Sequence, residues 1–208
     1  MRLFFGVLLA VIQVCAVSLA GSTKYVSVYQ NPAAGPIDFS GKRVACFVII
    51  PSEELRDARE VTVATELSRR GVNAIAGHAI LPRELVKDRE KAKEYLKKAG
   101  VGGAVILRLV ADEEQKSYSR TVTAWYTQPG YGTFGGAWDY GWSSAYVQEI
   151  EWTERVVILE TLIYSIERDE LLWAGRSETT KPKDIKKFVE DLAKEAGKEL
   201  RKAGLVPK

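Results

Sequence analysis

Arg43-Val44-Ala45-Cys46-Phe47-Val48-Ile49-Ile50 is an unbroken apolar run of strand length, closed by Pro51. A run without alternation reads as a strand buried on both faces, the kind found inside parallel sheets. Ser52, Glu53 and Glu54 follow it as a helix start, a capping hydroxyl with acids in the first turn. That helix is predicted to run to about Arg70, where Gly71 supplies the stop. Val72 to Ala76 is a short second strand. Pro82 and then Asp88 open a second helix through Ala92, Tyr95, Leu96 and Ala99, stopped by Gly100. Ala104 to Val110 is the third strand. A β-α-β-α-β order of this kind predicts parallel strands with right-handed crossovers that cover one face of the sheet.

Outward from this unit the pattern changes. Tyr25 to Tyr29 reads as a short strand, stopped by the linker Asn31 to Pro36. After the charged turn Asp112 to Lys116, Ser117 to Tyr126 alternates as a strand does. Val147 to Ile166 is long and β-branched, and Leu171 to Thr179 returns after the turn Glu167 to Glu170. These segments predict an antiparallel meander that extends the sheet. Pro182 and Gly204 bracket a last helix with Ile185, Phe188, Val189, Leu192, Ala196 and Leu200 at helical spacing, packed on the sheet. Its Lys and Glu residues make an ordinary solvated face. The fold class expected is α/β with α+β character: a parallel β-α-β-α-β unit, an antiparallel extension and a packed C-terminal helix.

With 46% hydrophobic and 27% charged residues, disordered, fibrous and multi-span membrane chains are excluded. A formal charge of +3 from 30 Lys+Arg and 27 Asp+Glu leaves no basic stripe for nucleic acid. One His, one Met and two Cys offer little for soft-metal sites or His-based catalysis, so neither metal nor cofactor is expected.

At the N-terminus, Arg2 precedes an apolar stretch from Leu3 to Val17, and Ser18-Leu19-Ala20-Gly21 ends it with small residues. This is the layout of a signal peptide cleaved after Ala20, giving an exported periplasmic or envelope-associated chain. The stretch is short for a span of about 20 residues. Val14 and Gln13 occupy the places where acylation at Cys15 needs small residues. Residues 1–20 therefore form the signal, 21–40 an extended N-terminal segment, and 41–208 one α/β domain with an insertion at 125–146. Cys46, the remaining thiol, is expected to be buried and inert.

The insertion holds eight aromatics, Trp125, Tyr126, Tyr131, Phe134, Trp138, Tyr140, Trp142 and Tyr146, with five glycines and the single charge Asp139. Read as a loop of some 20 residues, it is of the kind that is usually functional. Trp and Tyr present apolar area with a polar edge, which suits contact with an envelope protein, a glycan or a membrane surface. The same rings could instead cover the open face of the sheet. Inside it, Gly130-Tyr131-Gly132-Thr133-Phe134-Gly135 matches the dinucleotide pattern G-x-G-x-x-G. Gly136 to Ser144 shows no helical period there, so no helix N-terminus is expected to receive a pyrophosphate.

Other chemistry gathers near the ends of the first two strands. His78 and Ser52 suggest a Ser–His pair, although no G-x-S-x-G elbow surrounds any serine; a hydrated loop histidine is the simpler expectation. Arg56, Arg59, Asp57 and Glu60 either clamp an anion or form exposed helix pairs. Glu149 and Glu151 share one strand face, without a sign of a cleft.

Ser22-Thr23-Lys24, Val28-Tyr29-Gln30-Asn31-Pro32 and Phe39-Ser40-Gly41-Lys42-Arg43-Val44 resemble the opening of a family of bacterial cell-envelope lipoproteins. Arg59 with Glu66-Leu67, Gly71-Val72, Leu81-Pro82, Ala99-Gly100-Val101 and Leu172 to Thr179 continue the likeness, as do the Tyr/Gly-rich insertion and the C-terminal helix. The resemblance implies an envelope location and an α/β domain, and brings no catalytic residues. Family members place a lipidated cysteine before the Ser-Thr-Lys stretch, where this chain has Gly21. The function expected is a non-catalytic binding or assembly module using the aromatic insertion. A hydrolase acting near His78 and a structural subunit of an envelope oligomer are the alternatives.

Overall fold

The computed structural model describes residues 23–34, 39, 41–50, 52–110, 130–145, 156–180 and 185–202. Six strands form one mixed sheet: β1 (Thr23–Gln30), β2 (Arg43–Ile49), β3 (Ala74–Ala76), β4 (Val101–Val110), β5 (Val156–Ser165) and β6 (Glu170–Thr180), in the order β1-β6-β5-β4-β2-β3. The helices are α1 (Glu53–Ser68), α2 (Gly77–Ile80), α3 (Arg89–Lys98), α4 (Phe134–Ala145) and α5 (Ile185–Lys202), with a 3₁₀ turn at Arg83–Leu85. The mixed α/β class is the one the sequence indicates. β2, β3 and β4 are parallel, while β5, β6 and β1 add antiparallel strands beyond β4.

Local chemistry sets the boundaries. Ser52 Oγ accepts from Leu55 N at the start of α1, and Asp88 accepts from Lys91 N at the start of α3. Gly71 and Gly100 take positive φ after the two helices, where a side chain would be strained. The extended segment at the N-terminus is more than a linker. Its strand β1 pairs with β6 from Thr23 to Gln30, with a bulge between Tyr25 and Ser27.

One expectation is corrected. The two crossover helices do not cover one face, because β3 and β4 flank β2 on opposite sides. After β3 the chain must pass back over β2, and a crossover of fixed hand then falls on the other face. On one face α1 and α5 bury Val63, Leu67, Phe188 and Leu192 against Val44, Cys46, Val48 and Val105. On the other, α3 and α4 bury Ala92, Leu96, Phe134 and Trp138 against Ala45, Phe47, Ile106 and Tyr164. The successive residues of β2 thus feed two cores, which is why its sequence does not alternate.

Cys46 is fully buried and free, and desolvation followed by the nearby Glu60 carboxylate pushes its thiol upward. Native protein is expected to resist thiol reagents and to label only on unfolding. Cys46→Ala should cost roughly 1 kcal/mol in urea denaturation, the scale of one lost buried group.

Candidate functional site

At the C-terminal ends of β2 and β3 the chain leaves the sheet in opposite directions, toward α1 on one face and toward α2 and α3 on the other. Such a switch point leaves a crevice that neither connection fills. Here it is lined by Phe47, Arg56, Glu60, His78, Arg83 and Trp142, among others. An inner hollow of ≈ 20 Å³ adjoins an outer one of ≈ 70 Å³, and the two share Arg56, Arg83, Val86 and Trp142. Arg56 and Glu60 lie four residues apart on α1 and so share one helix face.

The expectation of exposed helix pairs fails for both residues, which are buried. Glu60, 2% exposed, accepts from Val48 N at 3.2 Å through one oxygen. Its other oxygen accepts from His78 N at 2.7 Å and faces His78 Nδ1 at 2.9 Å. His78 is therefore not a hydrated loop residue. It stands in the first turn of α2, and the carboxylate contact assigns its proton to Nδ1. Ser52, its imagined partner, spends its hydroxyl on capping α1. Among the described residues no serine, threonine or cysteine side chain is hydrogen-bonded to His78. Asp57 joins the group, so that one ligand atom from each of Asp57, Glu60 and His78 lies within 4.8 Å of the others. Composition alone did not suggest that the single histidine would stand against two carboxylates.

Desolvation raises the Glu60 carboxyl above its ordinary 4.5, and the bonds from His78 and Val48 offset this only in part. A folded-state value above the unfolded one means that the fold binds the proton more tightly. The stability contributed is complete below pH 4.5 and is lost as pH rises through the raised value. Glu60→Gln keeps an acceptor and removes the titration. Urea midpoints measured across a pH series should fall more steeply with rising pH in the natural protein than in this variant.

Arg56 is held differently. Its side chain is 8% exposed, its guanidinium lies 5.0 Å from the Trp142 ring centroid, and its ion partners Glu53 and Asp57 are both 3.6 Å away. Among the described residues its side chain donates no hydrogen bond. The indole Nε1 of Trp142, in a residue 9% exposed, is also buried without an acceptor. Arg83, by contrast, is bonded to Glu53 at 3.1 Å and to Asp57 at 2.9 Å.

Trp142 reaches this place because residues 134–145 form α4, not a loop. Phe134, Trp138 and Trp142 are spaced by four, a helical stripe that the glycines hide, since glycine disfavours helix. Here the glycines serve close approach. A Cβ at Gly141 would stand 2.3 Å from Ile49 Cδ1, so a larger residue would make that side-chain tip move for the helix to lie as close to β2. The helix also changes the reading of G-x-G-x-x-G, because a helix does follow the pattern. Its first donors are already taken: Gly136 N by Thr133 Oγ1 at 3.0 Å and Gly135 N by Asp169 at 3.3 Å. The chain itself fills the place a pyrophosphate would need.

Of the eight aromatics, Tyr131, Phe134, Trp138 and Trp142 are buried as a cover over the sheet, and Tyr140 is 40% exposed. Trp125, Tyr126 and Tyr146 lie outside the described residues, as do Glu149, Glu151, the Ser117–Tyr126 strand and the signal segment.

A second polar cluster, unmarked in the sequence, anchors this cover. Arg108, Glu160 and Arg176 stand directly opposite one another on β4, β5 and β6. Glu160 accepts from Arg108 Nε at 3.0 Å, Arg176 at 2.6 Å and the Tyr131 hydroxyl at 2.7 Å. Arg108 also lies 4.5 Å from the Tyr140 ring centroid. Tyr164 donates to Tyr131 O at 2.8 Å. The entry to α4 is thereby tied to the middle of the sheet, which fixes where Trp142 falls.

No family model matches the chain, and no curated protein matches it. Similar solved structures include a PelC dodecamer from Paraburkholderia phytofirmans, at 10% identity and a TM-score of 0.45, covering 88% of this chain and 97% of that one. A point variant of the same dodecamer is similar at 12% identity and a TM-score of 0.42, over 84% and 94% of the two chains. No helix among the described residues is long and apolar enough to cross a membrane.

Proposed function

We propose that this protein is an exported, non-catalytic binding or assembly module of the bacterial envelope, and that its ligand seat is the crevice between α1, the Gly77–Lys87 turns and α4. The export reading rests on the layout of residues 1–20, with cleavage after Ala20 and no acylation at Cys15. One observation carries the seat: a buried arginine over the Trp142 ring whose two carboxylate partners stand at 3.6 Å, outside hydrogen-bond range, beside an open hollow. A buried charge in that state is costly unless something completes its shell.

The hydrolase alternative has less support. Glu60 orients His78 as an acid orients a catalytic base, but the hydroxyl of Ser52 is committed to its helix. The aromatic segment keeps a role in this reading, as the roof that brings Trp142 to the crevice. Thermal stabilisation of the purified protein by fractionated envelope solutes tests the proposal. A fraction that raises the melting temperature of the natural chain should not raise that of Trp142→Phe. Turnover of ester, peptide or glycoside probes that disappears in His78→Gln would overturn the proposal in favour of the hydrolase.

A further inference from the structure

We infer that the outer hollow of this crevice binds an oxyanion, a carboxylate or phosphate group of a larger ligand, with Arg56 as its principal partner; this rests on the reading that the crevice is a ligand seat. The hollow is lined by Glu53, Arg56, Arg83, Val86, Lys87 and Trp142, three cations against one carboxylate. Its ≈ 70 Å³ has room for several waters, enough for an oxyanion group to take their place.

Each cation is in a different state. Arg83 is fixed by Asp57 Oδ2 at 2.9 Å, a contact that an arriving anion need not disturb. Lys87 is exposed and makes no ion pair among the described residues. Arg56 is buried over the Trp142 ring, and both its ion partners stand at 3.6 Å, beyond hydrogen-bond range. A stacked guanidinium is a planar fork already oriented, and a carboxylate or phosphate accepts from it in two parallel bonds. Trp142, which lines the same hollow, has its Nε1 buried without an acceptor. The hollow is thus bordered by a guanidinium that has ion partners but no hydrogen-bond acceptor among the described residues, with Arg83 and Lys87 beside it.

The free protein also carries its own stand-in. Glu53, exposed in the first turn of α1, places one carboxylate oxygen 3.6 Å from Arg56 and the other 3.1 Å from Arg83. It occupies the position between the two guanidinium groups that the ligand oxyanion requires, and it can swing into solvent when displaced. Glu53 therefore competes with the ligand, and its removal has a predictable sign.

Calorimetric titration of the purified protein at constant ionic strength, with inorganic phosphate and with glucuronate as probes and chloride as the control, tests this. Saturable binding of phosphate, glucuronate or both is expected, and the probe preferred identifies the headgroup. Arg56→Met should weaken it about tenfold or more, the loss of a charge-assisted pair. Glu53→Gln should tighten it several-fold. Glu54→Gln, the same charge change on the neighbouring exposed residue, should tighten it less. Three results would overturn the inference: no saturable binding to the natural chain, binding undiminished in folded Arg56→Met, or equal effects of the two Glu→Gln changes. Should Arg56→Met fail to fold, exposed Lys87→Gln decides in its place, with several-fold weakening expected and unchanged binding contradicting the inference. If no oxyanion binds while an envelope fraction still stabilises the natural chain and not Trp142→Phe, the ligand class is wrong and the seat stands. If neither occurs, both are wrong.

Discussion

Trp138→Ala should lower the unfolding free energy by about 3–5 kcal/mol, a large part of the ~5–15 kcal/mol that holds a typical domain together. The ring is 1% exposed. It meets Phe47 edge-on at 4.7 Å and Phe134 at 5.3 Å, and its Nε1 donates to Val86 O at 2.8 Å. Truncation opens a cavity between α4 and β2 and also orphans a carbonyl of the turn that follows α2. Tyr140→Ala, on the same helix but 40% exposed, should cost about 1 kcal/mol or less, mainly its contact with Arg108. Urea denaturation of the two variants measures both quantities. Similar small losses would mean that α4 is a surface appendage and not the cover of the second core.

Glu160→Met should destabilise by a comparable ~3–5 kcal/mol, for a different reason. The carboxylate is fully buried and neutralises Arg108, whose side chain is 9% exposed, while also holding Arg176 and the Tyr131 hydroxyl. Its removal takes from Arg108 and Arg176 the buried carboxylate that both of them contact. The double variant Glu160→Met with Arg108→Met should be less damaged than Glu160→Met alone, because apolar side chains then replace the pair. Guanidinium titrations of the two single variants and the double one give the coupling. A double variant as unstable as the sum of its parts would show that the charges act independently.

Glu160 anchors the entry to α4 through Tyr131, and Trp138 seats the same helix on β2. The position of Trp142 beside Arg56 depends on both. Loss of crevice binding on disturbing either would therefore reflect displacement of the roof, which is why the tests of binding use Arg56, Glu53 and Lys87.

What the sequence determined by itself was local. The apolar run at Arg43–Ile50, the caps at Ser52 and Asp88 and the stops at Gly71 and Gly100 act within a few residues, so they are legible without a fold. The stripe in α5 was legible too, because Phe188, Leu192 and Ala196 repeat at helical spacing among charges. In α4 the same spacing of Phe134, Trp138 and Trp142 was present, but glycine propensity argued against a helix and tertiary packing overrode it. Which face each crossover covers was decided by strand order, a relation between segments far apart in the chain. The crevice belongs to that second kind. Arg56 and Glu60 look like surface residues of a polar helix, and only the reversal of the chain around β2 sets them against His78 and Trp142. Likewise Arg108, Glu160 and Arg176 lie on separate strands, and their charges meet because register places all three in one row.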